Sequence, residues 1–298
     1  MFIDCFPYFN EIELLELRIR MLNEHVDRFL IVEADKTHRG EPKNFTCEEA
    51  LKEIDVPTDK ISLLKVSLPS IEENPDPWVR ERGQRDALTY AMDMFSDDTI
   101  FFVSDCDEIL DPSKIPDALS VVSANYDRIV HAPMVFLVGR ADRRACMPNR
   151  IPYLWSAPYF LTNKQRQNQS LSLIRESQGE YFYKDGQLVD RSVFSDPVEV
   201  ATGTCGWHFS WMGDNTRRQI KCRSFVHCYD VIPAAQAPLD SPEMQTFIQD
   251  YVPEVGSTDP IGRRDHILEY FPPELLPTEA FTIKRARNFL FSDGRSNA

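Results

Sequence analysis

The chain predicts an α/β fold: a doubly wound, mostly parallel sheet flanked by helices, followed by an irregular, aromatic-rich C-terminal half. Three observations carry this expectation. Short apolar runs alternate with amphipathic stretches over roughly the first 135 residues, as strand–helix repeats require. Those apolar runs are continuous rather than alternating with polar residues, which is the mark of strands covered on both faces. Past about residue 140 the alternation stops, and prolines, glycines and tryptophans take over.

Each element follows from local chemistry. "MFIDCF" opens as a short strand. Asn10, with Glu13 three residues on, is expected to cap a helix in the manner of a capping box. "EIELLELRIRMLNEHV" then lines Leu14, Leu15, Ile19 and Leu22 along one face. "DRFLIVEA" and "KISLLKVSL" are the second and third strands. Asp76-Pro77 supplies a cap and an N1 proline to the helix running through "WVRERGQRDALTYAMDMF". "TIFFVSD" is the fourth strand, and "DRIVHAPMVFL" (127–137) reads as another. Farther on, "YFYKDGQLVDRSV" predicts a hairpin around Asp185-Gly186. Residues 233–277 read as extended, proline-rich chain, and "PTEAFTIKRARNFLF" fits a helix or a strand. No repeat or low-complexity linker divides the 298 residues, so one domain is expected.

Composition removes several function classes. A hydrophobic content of 42% supplies a real core and excludes wholesale disorder. A net charge of −14 argues against coating nucleic acid or anionic membrane. The first ten residues lack a basic n-region, and no run approaches the apolar length of a membrane span. Seven cysteines without a CxxC pair read as mostly reduced thiols, so a soluble, cytoplasmic protein is expected.

The stretch "TIFFVSDCDEILDP" carries the sharpest chemical signal. Asp105, Asp107 and Glu108 stand at the mouth of a buried strand, where carboxylates cost solvation energy unless something positive meets them. Ligands of doubly wound sheets sit outside such carboxyl ends. One reading is a plain strand-to-loop turn, whose aspartates satisfy nearby backbone groups. A second is a divalent-cation site for Mn²⁺ or Mg²⁺, which favour carboxylate oxygens and share substrate phosphates. Strand alternation would aim Asp105 and Asp107 to one side and Glu108 to the other. A third is the nucleophile motif of a haloacid-dehalogenase-like phosphatase, from which Glu108-Ile109 and the long preceding segment depart.

Five stretches, in order, go beyond a generic reading: "DCFPYFNEIELLELRIRML", "VDRFLIVEADKTHRGEPK", "WVRERGQRDAL", "VSDCDEI" and "GWHFSWMG". Together they resemble glycosyltransferase family 17, the β-1,4-mannosyl-glycoprotein 4-β-N-acetylglucosaminyltransferase family, over most of residues 2–225. The resemblance implies a GT-A-like fold, a UDP-sugar donor (UDP-GlcNAc), a glycan or glycoconjugate acceptor, inverting transfer and Mn²⁺. It maps the cation-binding Asp-x-Asp onto Asp105 and Asp107. Within the one expected domain, residues 1–137 are read as a nucleotide-sugar-binding half and 138–298 as an acceptor-side half.

Further candidates follow, each with an ordinary structural alternative. Phe6 and Asn10, in the loop after the first strand, are expected at the nucleotide, unless Phe6 is core and Asn10 only a cap. Glu33, at the end of the second strand, is a further candidate for the nucleotide. Arg80 and Arg85 lie on the helix feeding the acidic strand, where Arg85 either pairs with Glu81 along the helix or braces Asp105 and a diphosphate. In "GTCGWHFSWMGD", Trp207 offers a face to a sugar and His208 a third metal ligand, with His227 as substitute. Asp214 is the expected general base, with Asp190 and Glu199 behind it. The rival functions are the phosphatase and a non-catalytic nucleotide-sugar or glycan binder, and donor turnover separates them.

Overall fold

The computed structural model describes residues 1–126, 128–146, 150–166, 170–177, 182–184, 187–189, 204–226, 241–242 and 267–292. The four expected apolar runs form β1 (Phe2–Tyr8), β2 (Arg28–Ala34), β3 (Ile61–Val66) and β4 (Ile100–Val103). β5 (Glu108–Leu110) follows at once. The single strand expected at 127–137 is two, β6 (Val130–His131) and β7 (Met134–Val138). Pro133, which has no N–H for a ladder, falls between them. Then come β8 (Arg143–Cys146), β9 (Leu154–Trp155), β10 (Tyr159–Thr162), β11 (Phe182–Lys184), β12 (Gln187–Val189), β13 (Gly206–Ser210) and β14 (Ile267–Tyr270). β11 and β12 pair antiparallel as the expected hairpin, while Asp185 and Gly186 themselves lie outside the described residues.

Helices in chain order are α1 (Ile12–Leu22), α2 (Cys47–Ile54), α3 (Pro77–Asp86), α4 (Leu88–Met92) and α5 (Ile115–Ala124). α6 (Asn163–Arg166), α7 (Leu171–Ser177), α8 (Asn215–Ser224), α9 (Glu279–Thr282) and α10 (Lys284–Leu290) follow among the described residues. The ambiguous stretch near the C-terminus is therefore helical. Asp76 caps α3 as expected, accepting from the Trp78 N–H. Asn10 does not cap α1; Glu11 takes that place, and its Oε2 accepts from the Asn10 N–H at 3.0 Å.

The fold is the mixed α/β one that the sequence predicts. Its main sheet runs β3-β2-β1-β4-β10-β6, parallel through the first four strands and antiparallel at β10 and β6. Both faces are covered. Phe2, Phe6, Phe29, Ile31 and Phe102 pack toward α1 and α2 in the larger core. Ile3, Cys5, Leu30, Val32 and Val103 pack on the other side with Leu88, Met92 and Leu171. A second sheet runs β14-β8-β7-β13-β5 with β9 on β7. Within it only β7 and β13 are parallel. β10 thus comes from the later part of the chain into the first sheet, and β5 from the earlier part into the second. Among the described residues no helix is long and apolar enough to cross a membrane.

One charge sits inside this apolar frame. Arg18 of α1 is fully buried, with its guanidinium 4.1 Å from the Phe6 ring centroid. Its Nε donates to Asp4 Oδ2 at 2.8 Å, and its Nη1 donates to the carbonyls of Asp105 (2.7 Å) and Glu108 (3.0 Å). Its Nη2 donates to Ser104 Oγ at 2.6 Å. Removing one partner of a buried pair leaves the other charge uncompensated. Arg18→Met is therefore expected to lower unfolding free energy by about 3–5 kcal/mol, and Arg18→Met with Asp4→Leu by less than Arg18→Met alone. Denaturant titration of the three proteins reads this directly.

Candidate active site

The site begins where β4 ends. The Glu108 N–H donates to the Asp105 carbonyl at 3.0 Å, which closes a turn across Asp105-Cys106-Asp107-Glu108. The segment is therefore not extended, and the strand alternation expected for its acids does not apply. Instead Glu108 folds back, and its Oε2 accepts the Asp105 N–H at 2.6 Å.

β5 then pairs antiparallel with β13, setting His208 opposite Glu108 and Trp207 opposite Ile109. Directly opposed residues share a face, so His208 comes to the acids and Trp207 turns into the core. Gly206 makes the approach possible: a Cβ there would lie 2.1 Å from the Ile109 carbonyl oxygen. This glycine serves the meeting of two strands. The result is a buried trio, Asp107, Glu108 and His208, whose potential ligand atoms all lie within 4.8 Å of one another.

Cations from three helices meet the acids. Arg85 of α3 donates to Asp105 Oδ1 at 2.8 Å and also pairs with Glu81. Arg175 of α7 donates to Asp105 Oδ2 and Glu108 Oε1, both at 2.7 Å, and to Glu108 Oε2 at 3.1 Å. Lys221 of α8 donates to Asp107 Oδ2 at 3.1 Å, and His208 Nε2 lies 3.5 Å from the same oxygen. Trp155 Nε1 donates to Glu108 Oε1. The rings of Phe136 and Trp155 lie 4.9 and 4.7 Å from the His208 ring.

The carboxylates differ in what they have left to offer. Glu108 accepts four hydrogen bonds, two on each oxygen, which fills the capacity of an ionised carboxylate. Asp107 Oδ1 accepts none among the described residues. Burial pushes the Asp105 pKa up, but Arg175 and Arg85 outweigh it and hold the group at about 2. At Asp107 burial acts the same way, and Lys221 and His208 pull it below the usual carboxylate range. Burial raises the Glu11 pKa against the pull of Lys221.

The remaining expected site residues fall in different places. Phe6 is fully buried in the larger core, beneath Arg18. Asn10 lies in the β1–α1 loop, where its carbonyl accepts from Arg217 Nη1 at 3.0 Å. Glu33 is fully buried and accepts from the Thr46 and Cys47 N–H groups at the start of α2. Arg80 is spent on the loop carbonyls of His38 (2.6 Å) and Asn74 (2.5 Å). Trp207 is 7% exposed, in the core. Asp214 caps α8, accepting from the Arg217 N–H at 2.9 Å. His227, Asp190 and Glu199 lie outside the described residues. Sequence reading missed Arg175 and Lys221; nothing local distinguishes either from a solvated helix cation.

A doubly wound sheet with an acidic turn at the carboxyl end of its fourth strand defines the setting. Residues 2–134 match the model of glycosyltransferase family 17, the family the sequence resembles. No curated protein matches the chain. Solved structures similar to it include a 4-diphosphocytidyl-2C-methyl-D-erythritol synthase, 12% identical, covering 60% of this chain and 84% of that one, with a TM-score of 0.35. A mannose-6-phosphate isomerase from Helicobacter pylori is 11% identical, covering 59% and 79%, with a TM-score of 0.38. The 2-C-methyl-D-erythritol 4-phosphate cytidylyltransferase of Francisella tularensis is 10% identical, covering 58% and 76%, with a TM-score of 0.34.

The depressed carboxyl pKa values give a pH dependence with a defined sign. Asp105 and Asp107 hold protons less tightly folded than unfolded, where aspartate titrates near 3.9. The stability they contribute is present above about pH 4 and lost as pH falls through about 2. Arg175→Met removes part of what holds Asp105 down, so its acid transition is expected at higher pH than that of the parent. Circular dichroism against pH checks this.

Proposed function

We propose that the protein is a metal-dependent inverting glycosyltransferase, transferring N-acetylglucosamine from UDP-GlcNAc to a hydroxyl of a glycan acceptor. The observation that carries the reading is the meeting of Asp107 with His208 at an acidic turn inside the family-17 stretch. A carboxylate and an imidazole fit Mn²⁺, and the unused Asp107 Oδ1 and the buried, unpartnered His208 Nδ1 are available polar atoms. Asp107 and His208 would hold the ion, with Asp105 beside them. Glu108, its acceptor sites filled, fixes the turn. The ion would supply charge stabilisation to the leaving diphosphate.

The chain's own residues divide the remaining work. Arg85 and Arg175 hold Asp105, so the turn keeps one shape. Trp155, stacked on Phe136 and tilted against His208, offers a sugar the flat face first expected of Trp207. The acceptor hydroxyl attacks the anomeric carbon, the bond to UDP breaks, and the hydroxyl proton passes to a carboxylate. Asp214 is the assigned base. Screening UDP-sugars for Mn²⁺-dependent transfer, with the product's anomeric configuration read by NMR, tests the whole reading. Donor-independent phosphate release from aryl phosphates would point to the phosphatase instead, and UDP binding with no turnover to a binder.

Asp107→Asn is expected to keep the fold and abolish Mn²⁺-dependent UDP binding. Glu108→Gln is expected to lower the melting temperature, because its amide cannot accept all four donors, while Mn²⁺ still binds. Calorimetry beside thermal melts separates the two. Asp214→Asn is a clean test because asparagine caps helices as well as aspartate does. Its melting temperature is expected to hold while transfer falls by about 10²–10⁴-fold, the usual worth of a general base. Full activity in this variant would remove Asp214 from the reaction.

A further inference from the structure

Lys221 stands where an ion bridging Asp107 Oδ2 and His208 Nε2 would stand. Its Nζ is 3.1 Å from Asp107 Oδ2, the oxygen that also faces His208 Nε2 at 3.5 Å. An ammonium and a divalent ion sharing that oxygen would lie only a few ångströms apart. Like charges that close repel, and the divalent ion carries the larger charge. The ion and the ammonium therefore compete for that oxygen.

The lysine is built to leave. Its side chain is 32% exposed, whereas Asp107 is 11% exposed, so it reaches the acid from the solvent side. The stem is flexible, and while it holds Asp107 the ammonium also lies 5.5 Å from the Trp211 ring centroid, a second attraction that does not depend on the carboxylate. Trp211 holds a left-handed backbone, φ 61°, unusual for so bulky a residue. Arg218 fixes it there, donating to the Trp211 carbonyl at 3.0 Å and to that of Gly139 at 2.7 Å. The residue before it, Arg217, donates to the Asn10 carbonyl at 3.0 Å and to both oxygens of Glu13 at 2.8 Å. α8 is thereby pinned at two points while Lys221 projects between the β1–α1 loop and the acidic turn.

We infer that Lys221 is a placeholder cation: it neutralises Asp107 in the unloaded enzyme, yields that carboxylate to the divalent ion, and then contacts the donor's diphosphate. This rests on the proposed glycosyltransferase reading. It makes Lys221 a positioning residue for cation loading and a contact for the anion that arrives with it. Metal affinity without nucleotide is then set partly by the cost of displacing the lysine. Nucleotide affinity with metal present is set partly by where the lysine goes.

The two halves predict opposite signs for one substitution. Lys221→Gln is expected to bind Mn²⁺ about two- to fivefold more tightly than the parent without nucleotide, since an ion pair of this exposure is worth roughly that much. At saturating Mn²⁺ the same variant is expected to bind UDP about tenfold more weakly, the scale of one lost charge-assisted contact. Lys221→Arg, which keeps the pair, is expected to stay near the parent in Mn²⁺ affinity and serves as the comparison should the glutamine variant not fold. For it, Mn²⁺ affinity raised as far as the placeholder predicts for loss of the pair would count against the assignment. Titration calorimetry with MnCl₂ alone, then with UDP, gives both numbers. Unchanged or weaker Mn²⁺ binding in Lys221→Gln overturns the placeholder. If the parent binds Mn²⁺ and Asp107→Asn does not, that failure belongs to Lys221 alone; if the parent binds none, the metal-dependent reading falls with it.

Discussion

The buried guanidinium of Arg18 is the constraint on which the rest depends. It draws together α1, through its own backbone, β1, through Asp4, and the acidic turn, through Ser104 and two carbonyls. A fully buried arginine is costly to desolvate, and only a carboxylate and several acceptors in fixed geometry offset that cost. The turn therefore has one low-energy position relative to the helix. Because its carbonyls point inward to Arg18, the side chains of Asp105 and Asp107 face the site. The site's shape is thus set from below by an interaction that never touches a ligand.

A second level of control comes from above. Arg85 and Arg175 take the two oxygens of Asp105, and Arg175 also takes both oxygens of Glu108. Like charges so close would otherwise spread the turn apart. Planar forks that bridge two carboxylates hold them at a fixed separation, which a lysine could not do as well. The more flexible cation, Lys221, is placed at Asp107, the acid that changes partner under the proposed reading. Arginines at the frame and a lysine at Asp107 would then divide the labour by side-chain chemistry.

The sequence made the frame legible where signals were local. The apolar runs of β1 to β4 and the Asp76-Pro77 start of α3 are readable because each depends on neighbours within a few residues. α2 was equally readable and was overlooked: Cys47, Ala50, Leu51 and Ile54 are its buried face, and Glu48 and Glu49 stand in its first turn. The turn at Asp105–Glu108 was read as extended because its closing bonds come partly from side chains. The pairing of β5 with β13 joins residues about a hundred apart, and no local pattern announces it. Arg175 and Lys221 were invisible for the same reason, since a helix cation acquires its meaning only from what the fold brings opposite. Trp207 and His208 are adjacent, and only the register decides which faces the acids.

The charge balance of this network bears on what it binds. Asp4, Glu11, Glu81, Asp105, Asp107 and Glu108 are joined directly or electrostatically to Arg18, Arg85, Arg175 and Lys221. Six carboxylates against four cations leave the cluster short of positive charge by about two when all are ionised. Burial raises the Glu11 pKa, and the charge of Asp107 adds to the rise. A lone anion would deepen the imbalance by repulsion from Asp107, while one divalent ion removes it. A diphosphate arriving with such an ion meets a cluster no longer negative, with a lysine released to receive it. Under the proposed reading the order of binding is therefore a consequence of electrostatics: cation first, nucleotide second.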